Sequence, residues 1–200
     1  LADNRWLRLC VLCLLYVAQG LPFGFVTVAL RDYLHARGAT EADTGSMIAM
    51  VSLPWALKFV WGPIIDRWGI FTMGKRRPWL ILAQGMMLVM TIALALTPGI
   101  GSNLALLGWG ILSLNIFIAL QDVSTDSLTV DLVPENERGR ANGLMYGCSY
   151  LGANLGAVGL SRLLPREGEP GGIGLALATL AGAVFLVMLL PLLIRERKGE

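Results

Sequence analysis

Residues 115–140 place charge where a membrane helix should carry none. Positions 104–120 are almost wholly apolar, and Gln121, Asp122, Val123, Ser124, Thr125 and Asp126 follow directly. The segment breaks at Pro134, and Glu135, Asn136, Glu137, Arg138, Gly139 and Arg140 read as a solvated turn. Asp122 and Asp126 are four apart, so on a helix they stack on one face about 6 Å along the axis. A carboxylate at mid-bilayer costs roughly 2.5–3.5 kcal/mol or more and normally faces a bundle interior or a water-filled cavity. A third charge, Lys58, lies eight residues before Asp66 at the end of an apolar run, just as Asp126 lies eight before Pro134. At 1.5 Å per residue both sit about 12 Å below the same surface, close enough to meet. Two readings follow. In one, a buried ion pair ties two helices together while the second carboxyl is protonated. In the other, two like charges a turn apart in a low dielectric share a proton and carry it.

The rest of the chain must hold these groups in lipid. Of 200 residues, 55% are hydrophobic and 15% charged, with a mean hydropathy of +0.64. A soluble domain of this size has too little interior for that composition. The net charge of +2 says little about partners and gives no reason to expect nucleic acid. The pattern predicts an all-α membrane protein with six transmembrane helices at about 6–30, 44–65, 79–97, 104–132, 141–164 and 173–194, forming one bundle over 1–200. Residues 195–200 would begin a cytoplasmic loop.

The first helix is too long for a secretory signal and lacks a small-residue cleavage site. Gln19, Gly20, Pro22 and Gly24 interrupt it. Such breaks are tolerated where the freed backbone meets protein or a cavity, so this face is expected to look inward. A polar loop is expected over 31–43. The fifth helix carries Gly143, Gly147, Gly152 and Gly156, small residues that let helix backbones approach closely. With six spans, eleven Lys and Arg fall at the end shared by both termini and four (Arg31, Arg37, Arg162, Arg166) at the other. The positive-inside bias therefore puts both termini in the cytoplasm, with Trp6, Trp68 and Trp79 as an aromatic belt at that boundary. No convincing internal repeat relates the two sets of three helices.

Other motifs have plainer readings. Cys10 and Cys13 form a C-x-x-C spacing inside an apolar run without the polar or cationic flank that activates a thiol, so they and Cys148 read as small buried hydrophobes. His35 falls in the expected polar loop. Gly69 and Gly74-Lys75 have P-loop spacing, yet Arg76 stands where the Mg²⁺-binding hydroxyl belongs and no strand precedes it.

Gly62-x-x-x-Asp66-Arg67-x-Gly69, followed by Gly74-Lys75-Arg76-Arg77, resembles the signature loop between helices two and three of the major facilitator superfamily, with residues 70–73 lengthening the spacing. Three stretches are similar to its muropeptide permease (AmpG-type) and acetyl-CoA transporter branch: 16–22 with Tyr16 and Gln19, 58–67 from Lys58 to Arg67, and 120–139 from Leu120 to Gly139. The resemblance implies one half of a 12-helix fold around a central cavity lined by helices one and four. It also implies a gating role for Gly62, Asp66, Arg67 and Gly69, with Asp66 meeting the opposite half and arginines such as Arg138 or Arg140 when the cytoplasmic side closes. Six helices are half of such a transporter and Leu1 is not a start methionine, so the expectation is an N-terminal half of a longer chain; the alternative is a half-size chain that pairs with another.

The intramembrane acids and broken first helix point to proton-coupled uptake of a small polar solute; the resemblance implies that this is secondary active transport by alternating access across the inner membrane, with a solute such as a muropeptide. Asp122 and Asp126, tuned by Lys58, would carry the proton, and Tyr16, Gln19 and Gln121 would face the solute. No enzyme activity, cofactor or metal is expected on this reading; its partners are membrane lipid, solute, protons and a second six-helix half. The alternative is a Mg²⁺-dependent prenyltransferase-like membrane enzyme holding a diphosphate through Asp122 and Asp126, followed by Asp131.

Overall fold

A computed structural model describes residues 5–68, 75–165 and 172–193. Six long helices account for most of them. α1 (Arg5–Ala36), α2 (Glu41–Arg67), α3 (Arg77–Leu96), α4 (Leu104–Leu132) and α6 (Gly174–Leu193) each contain a stretch long and apolar enough to cross a membrane. α5 (Arg138–Asn154, continued by a π turn over Leu155–Gly159) is long enough but more polar, and it packs along α1.

Local chemistry sets the ends. Thr40 caps α2 through a reciprocal box: its hydroxyl accepts from the Asp43 amide at 3.2 Å, and its own amide donates to Asp43 Oδ2 at 2.9 Å. A proline in the first turn of α3 removes an amide that would have no helical partner. Gly99, with φ of +67°, turns the chain between α3 and α4, and Asn103 Oδ1 then caps α4 by accepting from the Leu106 amide at 3.0 Å. Pro134 forces Val133 into extended backbone and closes α4. α1 continues six residues past Leu30 and α2 begins at Glu41, so the expected polar loop shrinks. Tyr33 and Leu34 bury against the core, while Arg31 reaches Glu41 at 3.1 Å. His35 accordingly lies in the last turn of α1, its ring bonded to the Ala39 carbonyl and Thr44 Oγ1, both at 3.1 Å.

α1 and α2 each deviate from α geometry a few residues after an internal proline. Pro22 is followed by a π turn over Phe25–Leu30, and Pro54 by a 3₁₀ turn over Lys58–Val60. α4 is the hub, packed on α1, α2 and α3, while α6 lies against α3 and α1. Two large apolar clusters fill the bundle, beside a small one of Ile65, Ala83 and Leu120. One gathers Phe25, Leu30, Leu107, Ile111 and Leu177, and the other Leu12, Leu15, Leu80, Leu128 and Met145. Between them, on α1 and α4, lies the polar stretch.

The α1–α5 contact is made by backbone. A Cβ built on Gly20 or Gly24 would lie 2.1 Å from the Ser149 carbonyl oxygen or 1.8 Å from that of Ala153. On α5, Gly152 and Gly156 meet the Val17 and Leu21 carbonyls at 2.3 and 2.0 Å in the same sense. A Cβ built on Gly143 or Gly147, also expected at a helix contact, would meet no neighbouring element within 4 Å. The five-residue step from Gly147 to Gly152 rotates the second pair about 140° around the helix, which separates the two faces. The cysteines are less enclosed than expected: Cys10 is exposed, and Cys13 and Cys148 are half-buried.

Gly24→Ala and Gly152→Ala should each destabilise the bundle by about 1–3 kcal/mol, because no side chain end is available to yield. Gly143→Ala and Gly147→Ala should be neutral or stabilising, by up to about 1 kcal/mol of helix propensity. Thermal retention of monodisperse protein in detergent separates the two pairs; equal losses at all four positions would contradict the packing described.

Candidate functional site

α1 and α4 each bring polar side chains to the waist between the apolar clusters, and α2 adds one from its broken turn. Asp122 is 2% exposed and both its carboxylate oxygens are engaged. Lys58 Nζ meets Oδ2 at 2.9 Å, and Gln19 Nε2 donates to Oδ1 at 2.9 Å. Asp126, one turn further along α4, accepts the Tyr16 hydroxyl. Tyr16 stacks edge-on against Tyr146 of α5, ring centroids 5.8 Å apart and planes at 75°. Lys58 is the more open partner, with 39% of its side chain exposed and its ammonium 5.6 Å above the Trp55 ring. Depth counting puts Lys58 level with Asp126; the flexible stem instead carries the ammonium one turn deeper, to Asp122.

The remaining residues singled out in the sequence divide by location. Gln121 is fully buried and points its amide at α1, where Nε2 donates to the Leu15 carbonyl at 2.8 Å. It ties α1 to α4 rather than facing open space. The oxygens Oε1 of Gln19 and Gln121 are buried with no hydrogen-bond partner. Ser124, Thr125 and Thr129 return their hydroxyls to carbonyls four residues back on α4, each at 2.8 Å, so the helix itself satisfies them.

The signature loop lies at the far end of α2. Gly62 has open space around it, Arg67 is exposed, and Gly69 is outside the described residues. Asp66 pairs with Arg76, not with Arg138 or Arg140, and Arg76 Nε also reaches Asp131 Oδ2 at 3.2 Å. One guanidinium therefore clasps the end of α2, the start of α3 and the end of α4. Burial opposes its charge, but the bonds to Asp66 and Asp131 outweigh that and hold the Arg76 pKa above its ordinary value. Arg138 caps α4 instead, donating to the Val133 and Val130 carbonyls at 3.2 and 3.0 Å, while Arg140 is exposed. At the same end Arg5 and Arg8 approach Glu137 at 3.5 and 3.7 Å, and Arg77 Nε donates to the Pro191 carbonyl at 2.7 Å. Arg76 and Asp131 are the residues that sequence reasoning passed over as clamp members. Their signal was a charged pair flanking two helix ends, indistinguishable there from a topology signal.

A cavity of about 210 Å³ opens beside the acids, lined by Asp126, Thr129, Val130, Arg138, Asn142 and Tyr146. The three acids of α4 share no partner: Asp122 meets Lys58 and Gln19, Asp126 meets Tyr16, and Asp131 meets Arg76. Among the described residues no three His, Cys, Asp or Glu side chains are grouped to hold a metal ion.

Comparison with known proteins agrees with the geometry. The family model described as Major Facilitator Superfamily matches residues 12–200. An anhydromuropeptide permease of Escherichia coli K12 is 30% identical over 156 residues, covering 76% of this chain and 30% of that protein. An uncharacterized protein of Haemophilus influenzae is 29% identical over 179 residues, covering 86% of this chain and 40% of that one. A Rickettsia conorii protein named putative transporter AmpG 1 is 26% identical over 162 residues, covering 77% and 38%. The chain thus spans less than half the length of these relatives. With its apolar helices, it is an integral, multi-pass membrane protein.

Removing one partner of a buried ion pair costs about 3–5 kcal/mol. Because 39% of the Lys58 side chain is open to its surroundings, Lys58→Met or Asp122→Asn should each cost about 1–3 kcal/mol. The double variant should lose less than the sum of the two. Additive losses in detergent melting would show that the pair does not couple.

Proposed function

The chain belongs to the Major Facilitator Superfamily, and from that premise we propose that it is a six-helix half of a secondary transporter coupling solute uptake to protons. The observation that carries the reading is the charge count at the waist: two carboxylates, Asp122 and Asp126, against one ammonium, Lys58. In a low dielectric a single cation compensates one carboxylate, and the second is compensated by a proton. Asp122 has the cation and a Gln19 hydrogen bond, so it is the fixed charge. Asp126 accepts from a phenol and borders the open cavity, where the other charged wall residue, Arg138, donates to the Val133 and Val130 carbonyls, so Asp126 is the exchanging acid.

Alternating access then needs a gate at each end. The clasp of Asp66, Arg76 and Asp131 joins α2, α3 and α4 at one surface, and its separation would let that end spread. Positive charge concentrated at the same surface supports cytoplasmic termini and insertion in the inner membrane. The solute class comes from the relatives: a muropeptide or similar sugar peptide is supported by the anhydromuropeptide permease match and by donors and acceptors at the cavity. A second six-helix half, in this protein or another chain, would complete the cavity. The three divergent acids favour transport over a diphosphate-binding enzyme.

Uphill accumulation of labelled anhydromuropeptide in cells making the protein should collapse on adding a protonophore. Asp126→Asn should lose accumulation by at least tenfold while keeping downhill counterflow and normal abundance in the membrane. Unchanged uphill uptake in both Asp122→Asn and Asp126→Asn would reject the proton role.

A further inference from the structure

The exposed surface of α5 divides into two strips of different chemistry. Leu144, Leu151, Leu155 and Val158 form one, apolar and suited to lipid or another helix. Asn142, Tyr146, Tyr150 and Asn154 form the other, at successive steps of four, so each lies about 6 Å further along the axis with a slow drift around it. All four are exposed; Tyr146 and Tyr150 leave 55% and 69% of their surfaces open. Beside them Gly143 and Gly147 face empty space, so nothing stands above the helix backbone to keep a flat ring away. Asn154 turns its Nδ2 back to the Tyr150 carbonyl at 2.9 Å, so along this strip it is the Asn142 carboxamide that is poorly suited to hydrocarbon. The strip borders the Asp126 cavity directly, with Asn142 and Tyr146 among the cavity walls.

Together with the proton-coupled uptake proposed above, on which this rests, we infer that the α5 strip is the subsite for a sugar ring of the solute. An aromatic face supplies the apolar, polarisable surface on which the C–H face of a pyranose stacks, and a carboxamide offers both a donor and an acceptor to ring hydroxyl or acetamido groups. Tyr146 is the stacking residue, Asn142 the hydrogen-bonding residue at its edge, and Tyr150 extends the platform by one turn. A cavity of about 210 Å³ falls below the roughly 300–1,000 Å³ that encloses a whole drug-sized ligand, so it takes one ring and leaves the remainder of the solute outside. Tyr146 also touches Tyr16, whose hydroxyl rests on Asp126. A ring seated on Tyr146 is therefore one side chain away from the exchanging acid, which places solute and proton in mechanical contact.

The test is equilibrium binding to the purified, full-length protein in detergent, without a gradient, using three labelled probes: anhydromuropeptide, its peptide-free sugar portion and its sugar-free peptide. The sugar-bearing probes should bind saturably. Tyr146→Ala and Asn142→Ala should weaken them at least tenfold, and Tyr146→Phe, which keeps the ring, should stay within threefold of the parent. Binding of the sugar-free peptide should not change. Equal affinity for sugar in the parent and Tyr146→Ala, with both monodisperse, would overturn the subsite, as would absence of saturable sugar binding by the parent. A Tyr146→Phe variant as weak as Tyr146→Ala would overturn stacking. The transport reading fails by a different result: sugar binding that obeys these rules in a protein whose cells show no protonophore-sensitive accumulation.

Discussion

Two carboxyl groups, Asp122 and Asp126, face one ammonium, Lys58, at the waist of a lipid-embedded bundle, and the proposed function rests on how that charge is balanced. Much of the local structure positions these groups. α4 keeps Asp122 and Asp126 on one face, and the broken turn after Pro54 supplies Lys58. α1 offers Gln19 and Tyr16 as hydrogen-bond donors. Apolar clusters lie above and below, and burial of Asp122 between them raises the cost of leaving its charge uncompensated.

Placement of α1 depends in turn on α5. Gly20 and Gly24 facing Gly152 and Gly156 bring the two backbones into contact, and this close approach sets Tyr16 against Tyr146. The buried amide of Gln121 fixes α1 from the other side through the Leu15 carbonyl. Three helices thus converge on two acids, while the Arg76 clasp ties α2, α3 and α4 together at one end, away from the chemistry. In the proposed function that separation lets the clasp open while the occupancy of the Asp122 and Asp126 pair changes.

Membrane character and the all-α class were legible in the sequence because each follows from a local property: apolar runs broken at prolines and glycines. Partner choice was not. Lys58 selects Asp122 over Asp126 through a few ångströms of stem and a local 3₁₀ turn, which depth counting on an ideal helix does not resolve. Asp66 pairs with Arg76 and Arg138 turns back to cap α4, because helix ends compete for the same guanidinium groups and only assembled geometry decides the outcome. The glycines show the same limit: their number on the fifth helix was visible, but the five-residue step that sends Gly143 and Gly147 to an open face acquires meaning only once α1 is in place.

The most direct test of the account is infrared spectroscopy of the protonated carboxyl C=O stretch at neutral pH in lipid-reconstituted protein. The account predicts a protonated carboxyl band at rest, absent in Asp126→Asn and shifted when solute binds. A spectrum with only ionised carboxylates, or a band indifferent to Asp126→Asn, would contradict it.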